Sequence, residues 1–258
     1  VDVKPVAVAS NFGGRAIIGT GPNASNPDAS RVLSDIDVSG SVIGVADSGI
    51  DMNNCFFYDD AASSPWNNSR VVQSYVVQPC EMCGRCCGNQ SGPNCTNALN
   101  SCGNFIDQSG HGTHVCGTVA GAGPANVSYG NGVSSGAKIF FQDMENFVRN
   151  DTCFSKLGCL GGLSVPTDLL NLFTPAFNAG ARVHSNSWGA SQVRGIYNIQ
   201  SKAVDAFTSS NPTFLILFAA GNQGLVALTG TTAPPGTCKR SHSVGASQQR
   251  DALFRSMQ

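Results

Sequence analysis

The sequence predicts an α/β fold: a mostly parallel central sheet with helices on both faces. Three observations predict it. Short apolar runs, rich in β-branched and aromatic residues, recur along the chain at intervals that leave room for a helix between them. The first and longest runs are continuous rather than alternating, as in strands buried on both faces. The polar residues capable of chemistry stand just beyond the carboxyl ends of those runs, where open α/β sheets gather their functional groups.

Taken in order, residues 1–40 are irregular and rich in Gly, Ser, Asn and Pro. The run Val42-Ile43-Gly44-Val45-Ala46 predicts the first strand, ended by Asp47-Ser48-Gly49. Residues from about 59 to 104 form a polar, cysteine-rich insertion with little periodicity. Small and apolar residues from His111 to Gly123 predict a tightly packed helix. Strands follow at Ala137–Phe141, Ala181–His184 and Thr213–Ala220, with a weaker one at Ser243–Ala246. Between the third and fourth, Ile196, Ile199, Ala203 and Phe207 have the spacing of an amphipathic helix. At 258 residues and 41% hydrophobic, the chain can form one domain with a packed core, and a single domain over 1–258 is expected.

Composition excludes several partners. Charged residues are 12% of the chain, against about 25% in ordinary globular proteins, and the net charge is −1. Such a chain lacks the basic surface that nucleic acid or an anionic membrane requires, so neither is expected as a partner. The most apolar stretch, Phe214 to Ala220, is far short of the roughly 20 residues that span a bilayer. The first residue is Val1, with no basic-then-apolar leader ahead of the fold-like sequence, which is expected of a processed chain or a fragment.

Six of the 11 cysteines fall within 23 residues: Cys80, Cys83, Cys86, Cys87, Cys95 and Cys102. The others are Cys55, Cys116, Cys153, Cys159 and Cys238. The spacing CxxCxxCC admits a zinc site of four thiolates. It equally admits a small loop stapled by disulfides, which the surrounding Gly, Asn, Ser and Pro and the absence of a nearby histidine favour. Sequons begin at Asn23, Asn67, Asn89, Asn94, Asn126 and Asn150. Cysteines and sequons together point to a secreted or extracytoplasmic setting. Eleven is odd, and Cys116, in an apolar helical pattern, is the candidate unpaired thiol.

Acyl-bond hydrolysis by a nucleophile needs a base, a carboxylate to orient it and donors for the oxyanion. Asp47 has the chemistry of the carboxylate, His111 of the base, and Asn222 carries an amide that can donate to developing negative charge. The segments VIGVADSGID, SGHGTHVCGTVAG, NSWG and LFAAGNQG supply the context, in that order. In wording and strand or helix setting the chain resembles the subtilisin-like serine peptidases from about residue 41 onward, interrupted by the insertion. The resemblance implies an endopeptidase acting through an acyl-enzyme. Asp47 becomes the orienting carboxylate, His111 the general base and Asn222 the side-chain oxyanion donor. Ser187, Trp188 and Gly189, with Ala219, Ala220 and Gly221, become the segments that line the specificity pocket and pair with an extended polypeptide substrate. Trp188, placed at the pocket rim, implies an apolar or aromatic preference. His114 is read as a packing residue. No cofactor is required and a monomer is expected. Structural calcium is common in the family, but Phe56 stands where a compact member places a ligand Asp, so no calcium site is assigned. The stretch DSGIDMNNCFFYD is closer in wording to the larger eukaryotic branches of the family.

One part of the pattern does not occur in the 258 residues. The family's nucleophile lies in a Gly-Thr-Ser-Met-Ala segment that opens a central helix, and no such segment is present. The reading is therefore of a C-terminally truncated peptidase domain, its serine beyond Gln258, nearly inert by itself and marginally stable because the central helix no longer covers apolar sheet surface. A cooperative melt of the 258 residues above ~60 °C would contradict that expectation. Two other readings stand beside it: a subtilase-fold scaffold without a nucleophile, and an esterase using Ser134, whose segment Gly132-Val133-Ser134-Ser135-Gly136 fits G-x-S-x-G but precedes a strand instead of following one.

Overall fold

The computed structural model describes residues 37–57, 71–75, 107, 109–123, 131–146, 162–163, 165–191, 193–222, 224 and 230–246. Its centre is a six-stranded, all-parallel sheet of β1 (Val42–Asp47), β2 (Val71–Tyr75), β3 (Lys138–Asp143), β6 (Val183–Asn186), β7 (Leu215–Ala219) and β8 (His242–Val244), in the order β2-β3-β1-β6-β7-β8. A short antiparallel pair, β4 (Glu145–Asn146) and β5 (Gly162–Leu163), lies apart from it. The helices are α1 (His111–Ala120), α2 (Leu170–Asn178) and α3 (Ile199–Ser210).

β1 reads as a continuous apolar run because both of its faces are covered. Val45 packs with Cys116 and Ala120 of α1 and with Ile139 and Phe141 of β3. Its neighbour Ala46 belongs to the opposite layer, with Leu172, Phe173 and Ala176 of α2 and Val204 and Phe207 of α3. The period-2 alternation of strand side chains thus sends successive residues into two separate cores. Gly44, an entropically costly residue for a strand, is there because it pairs with His184 of β6 and an added Cβ would lie 2.4 Å from that ring.

The order of strands reverses on the two sides of β1: β3 and β2 lie to one side, and the chain then crosses to β6, β7 and β8 on the other. The crevice of a parallel sheet forms at such a switch point, outside the carboxyl ends of the strands. Asp47 ends β1 there.

Two expectations need correction, and one element is new. The insertion expected at 59–104 contains β2, whose Val71-Val72-Gln73-Ser74-Tyr75 pairs in parallel with β3. The cysteine cluster lies outside the described residues. The third helix begins at Ile199, not Ile196, because Asn198 forms a reciprocal capping box with Ser201 that fixes the first turn. Its buried face is consequently Ser201, Val204 and Phe207, while Ile196 and Ile199 are 51% and 76% exposed. Finally, α2, which no quoted pattern marked, carries Leu172, Phe173 and Ala176 into the core.

Candidate active site

α1 presents His111 as its first residue, and the turn before it is shaped by glycine. Gly110 takes φ +76, a left-handed conformation that offers no side-chain cap. The first-turn amides, which lack partners within a helix, are satisfied by side chains instead. Gly110 N–H donates to Asp107 Oδ1 at 2.9 Å and Thr113 N–H to Asp107 Oδ2 at 2.7 Å. His111 N–H donates to Ser109 Oγ at 3.1 Å and Gly112 N–H to Ser48 Oγ at 3.0 Å. The helix meets the end of β1 backbone to backbone: a Cβ on Gly112 would stand 2.2 Å from the Gly49 carbonyl oxygen. That contact explains the glycine after the histidine.

Asp47 is fully buried and His111 is about half exposed, its side chain 52% accessible. One oxygen, Asp47 Oδ1, accepts the Ser48 N–H at 2.8 Å and meets His111 Nδ1 at 2.7 Å. With Nδ1–H donating to the carboxylate, the neutral ring carries its lone pair on Nε2. The hydrogen bond to Asp47 holds the imidazole pKa above its ordinary value; partial burial pulls the other way, and the charges of Asp47 and Asp107 reinforce the rise. A buried carboxylate joined to a partly exposed imidazole can fix a tautomer and stabilise an imidazolium, which is the chemistry of an oriented general base.

The other sequence-predicted residues fall on the same edge of the sheet. Ser187, Trp188 and Gly189 directly follow β6, and Ala220, Gly221 and Asn222 follow β7, whose last residue is Ala219. Both segments are tied to the chain at 230–238. Ala190 N–H donates to the Pro234 carbonyl at 2.8 Å, and Ala233 N–H to the Ala220 carbonyl at 3.3 Å. Gly221, at φ +105, turns the chain away from the strand, and Asn222 is exposed.

Trp188 does not sit at a rim. It is 9% exposed, and its ring meets Phe218 edge-on at 5.2 Å within the layer that contains α2 and α3. Side-chain alternation turns it inward, so the preference inferred from an indole at the pocket mouth does not follow. His114, expected to pack, is exposed. Cys116 is fully buried, has no disulfide partner among the described residues, and burial pushes its thiol pKa well above the ordinary value, so the thiolate is disfavoured. Among the described residues Cys55 and Cys238 have no disulfide partner either. The Phe56 ring lies against Gly123 and has no side-chain oxygen for a cation, its carbonyl accepting the Ala122 N–H, and among the described residues no group of three or more His, Cys, Asp or Glu could hold a metal. Ser134 lies in a turn at the far end of α1, its N–H donating to the Val119 carbonyl, roughly 12 Å of helix from His111.

The sequence reading gives no role to Ser48, Ser109 or Asp107. The available signal was a cluster of capping residue types, Asp107 and Ser109, immediately ahead of a helix start.

On the α1 side of β6, β7 and β8 runs a groove of about 620 Å³, lined by Val183, Leu217, Ala219 and Val244 of the strands and Thr118 and Val119 of α1. It reaches Asn186 and Ser187 at the carboxyl edge. Among the described residues no helix is long and apolar enough to cross a membrane.

A buried Asp joined to a His at the carboxyl edge of a parallel α/β sheet is the arrangement of an oriented base. The chain belongs to the subtilase family, whose family model matches residues 38–256. It is 31% identical over 250 residues to the serine protease/ABC transporter B family protein tagD of Dictyostelium discoideum, covering 93% of this chain and 12% of that protein. The related tagB of the same organism is 31% identical over 95% of the chain and 11% of its own length. A CO(2)-response secreted protease of Arabidopsis thaliana is 32% identical over 130 residues, half of this chain and 16% of that protein. The chain thus spans about an eighth of the length of the Dictyostelium relatives. Among solved structures, a mutant protease domain of PatA aligns with a TM-score of 0.52 and 18% identity, covering 82% of this chain and 59% of the other. The CspB protease of Clostridium perfringens aligns at 0.52 and 19%, covering 84% and 42%. These structures share the fold.

Proposed function

We propose that this chain is the Asp–His portion of a serine endopeptidase site that cleaves extended polypeptides through an acyl-enzyme. The observation that carries the reading is the 2.7 Å contact between His111 Nδ1 and the buried Asp47. In the reaction, a serine hydroxyl gives its proton to His111 Nε2 as its oxygen attacks the scissile carbonyl carbon. Asp47 holds the ring and stabilises the imidazolium that forms. The Asn222 side-chain amide donates to the oxyanion, where charge develops. His111 then returns the proton to the departing amine, leaving an ester on the serine, and water repeats the sequence to release it. The nucleophile in this reading stands at the N-terminus of a helix seated in the groove beside α1, which opens onto the edge bearing Asp47 and His111. Residues 187–189 and 219–221 flank the substrate backbone.

A secretory setting is supported by the sequons and cysteines, and one relative is named a secreted protease. The test is fluorophosphonate labelling of the intact protein with the adduct mapped by mass spectrometry. A single labelled serine within a Gly-Thr-Ser segment is the expected result. Adduct on Ser134 would establish the esterase, and no adduct would leave a non-catalytic scaffold.

A further inference from the structure

The residue that organises the first turn of α1 is none of the three to which chemistry has been given. Asp107 accepts three hydrogen bonds on two oxygens, from the amides of Gly110 and Thr113 and from Ser48 Oγ at 2.9 Å, with Ser109 Oγ a neighbour at 3.2 Å whose single proton goes to Ser48. Ser48 is the hinge of the cluster. Its hydroxyl donates to Asp107 and accepts from Gly112 N–H, while Ser109 Oγ donates to it at 2.7 Å. The backbone N–H of the same Ser48 donates to the very oxygen of Asp47 that His111 contacts. Asp107 also packs against the end of β1 directly, since a Cβ on Gly49 would stand 2.6 Å from its Cα.

We propose that Asp107 is a positioning residue for the His111–Asp47 couple, fixing the first turn of α1 to the end of β1 through Ser48. The proposal rests on the reading of His111 as the general base. A carboxylate is required because both of its oxygens are used as acceptors. An asparagine would turn an NH₂ toward an N–H donor and lose one side of the clamp. The negative charge suits the positive end of the helix. Two acidic groups face the His111 imidazole, Asp47 from β1 and Asp107 from the turn before α1, so the carboxylate that locks the helix also contributes to the field at the ring. A catalytic base displaced by about 1 Å loses roughly a hundredfold in rate, so a clamp that sets the register of α1 on β1 acts on turnover without touching substrate.

The test compares Asp107→Asn and Ser48→Ala in the intact protein. For Asp107→Asn the expected result is a tenfold to hundredfold fall in kcat with KM within about twofold. The acid limb of kcat/KM should move to lower pH, because the ring has lost a neighbouring negative charge. Ser48→Ala, which keeps the charge, should lower kcat and leave the acid limb in place. A purely structural cap would lower the melting temperature and leave the acid limb unmoved, and that outcome, or an Asp107→Asn protein with unchanged kcat and pH profile, overturns the proposal. Should the unmodified protein turn over no peptide, the peptidase reading fails separately. The ¹⁵N-histidine NMR titration of His111 then decides the role of Asp107: a fall in its pKa on Asp107→Asn supports it and an unchanged titration overturns it. If Asp107→Asn does not fold, Ser48→Ala decides alone, by loss or retention of kcat and of the His111 Nδ1–H resonance.

Discussion

The two faces of the sheet are built from different materials. The face under α2 and α3 is a closed aromatic layer: Phe173 meets His184, Phe207 and Phe214 at 5.1, 5.5 and 6.3 Å, and Phe177 adds a contact to Phe214 at 5.7 Å. The face under α1 has an apolar core of its own, with Val45, Ile50, Phe57, Ile139 and Phe141, but it also ends in a polar clamp and gives way beside the helix to an open groove. The first face is held by buried area and ring geometry. The second adds hydrogen bonds and backbone contact to its buried area, and these fix direction. Both faces carry stability, and only one carries the clamp and the groove.

That division can be broken or sharpened by experiment. The largest effect belongs to the α1 face: His111→Ala should lower kcat by about 10⁶, the loss measured for the matching histidine in subtilisin, another member of the family. Its denaturation midpoint should stay near that of the unmodified protein, because the ring is half exposed; a large loss of stability would show that the clamp also holds the fold. Next comes acid. His184 is fully buried among the rings, its Nε2 2.9 Å from Gln142 Oε1, and burial lowers its pKa to about 3. The unfolded chain therefore takes up that proton first. Stability should be complete above about pH 6.5 and decline as pH falls toward 3, by up to roughly 5 kcal/mol. Denaturant midpoints at pH 7 and pH 4 should converge in His184→Gln if this ring is the cause. Phe173→Ala should cost about 3–5 kcal/mol of unfolding free energy, and a value below 1 would mean the aromatic layer is not the core it resembles. Asn222→Ala should lower kcat by 10² to 10³, as removal of an oxyanion donor does in subtilisin, with its melt unchanged. The smallest effect is expected at Ile199→Ser, within about 0.5 kcal/mol, since that side chain faces water.

Much of this architecture was legible in the sequence because buried parallel strands write themselves as apolar runs. β1, β3, β6 and β7 were each found within two residues of their observed ends, and the edge bearing Asp47 and His111 followed from where those runs stop. β2 was lost inside a polar, cysteine-rich stretch, since five residues of edge strand carry little signal against that background. α3 was placed three residues early because Ile196 continues an apolar period that Asn198 cuts off with a side-chain cap. Trp188 shows a further limit: proximity to a site along the chain does not say on which side of the sheet a ring will point. Asp107 shows another, for its role lies in contacts with residues 59 positions away, and spacing along one segment cannot display them.

All four leading amides of α1 are engaged by Ser48, Asp107 and Ser109. An anionic inhibitor therefore gains nothing from that helix terminus: a sulfonate or phosphonate approaching His111 meets saturated donors with a carboxylate behind them. Compounds directed at this protein should draw their affinity from neutral, strand-like backbones, and a negatively charged head group beside the imidazole should weaken binding.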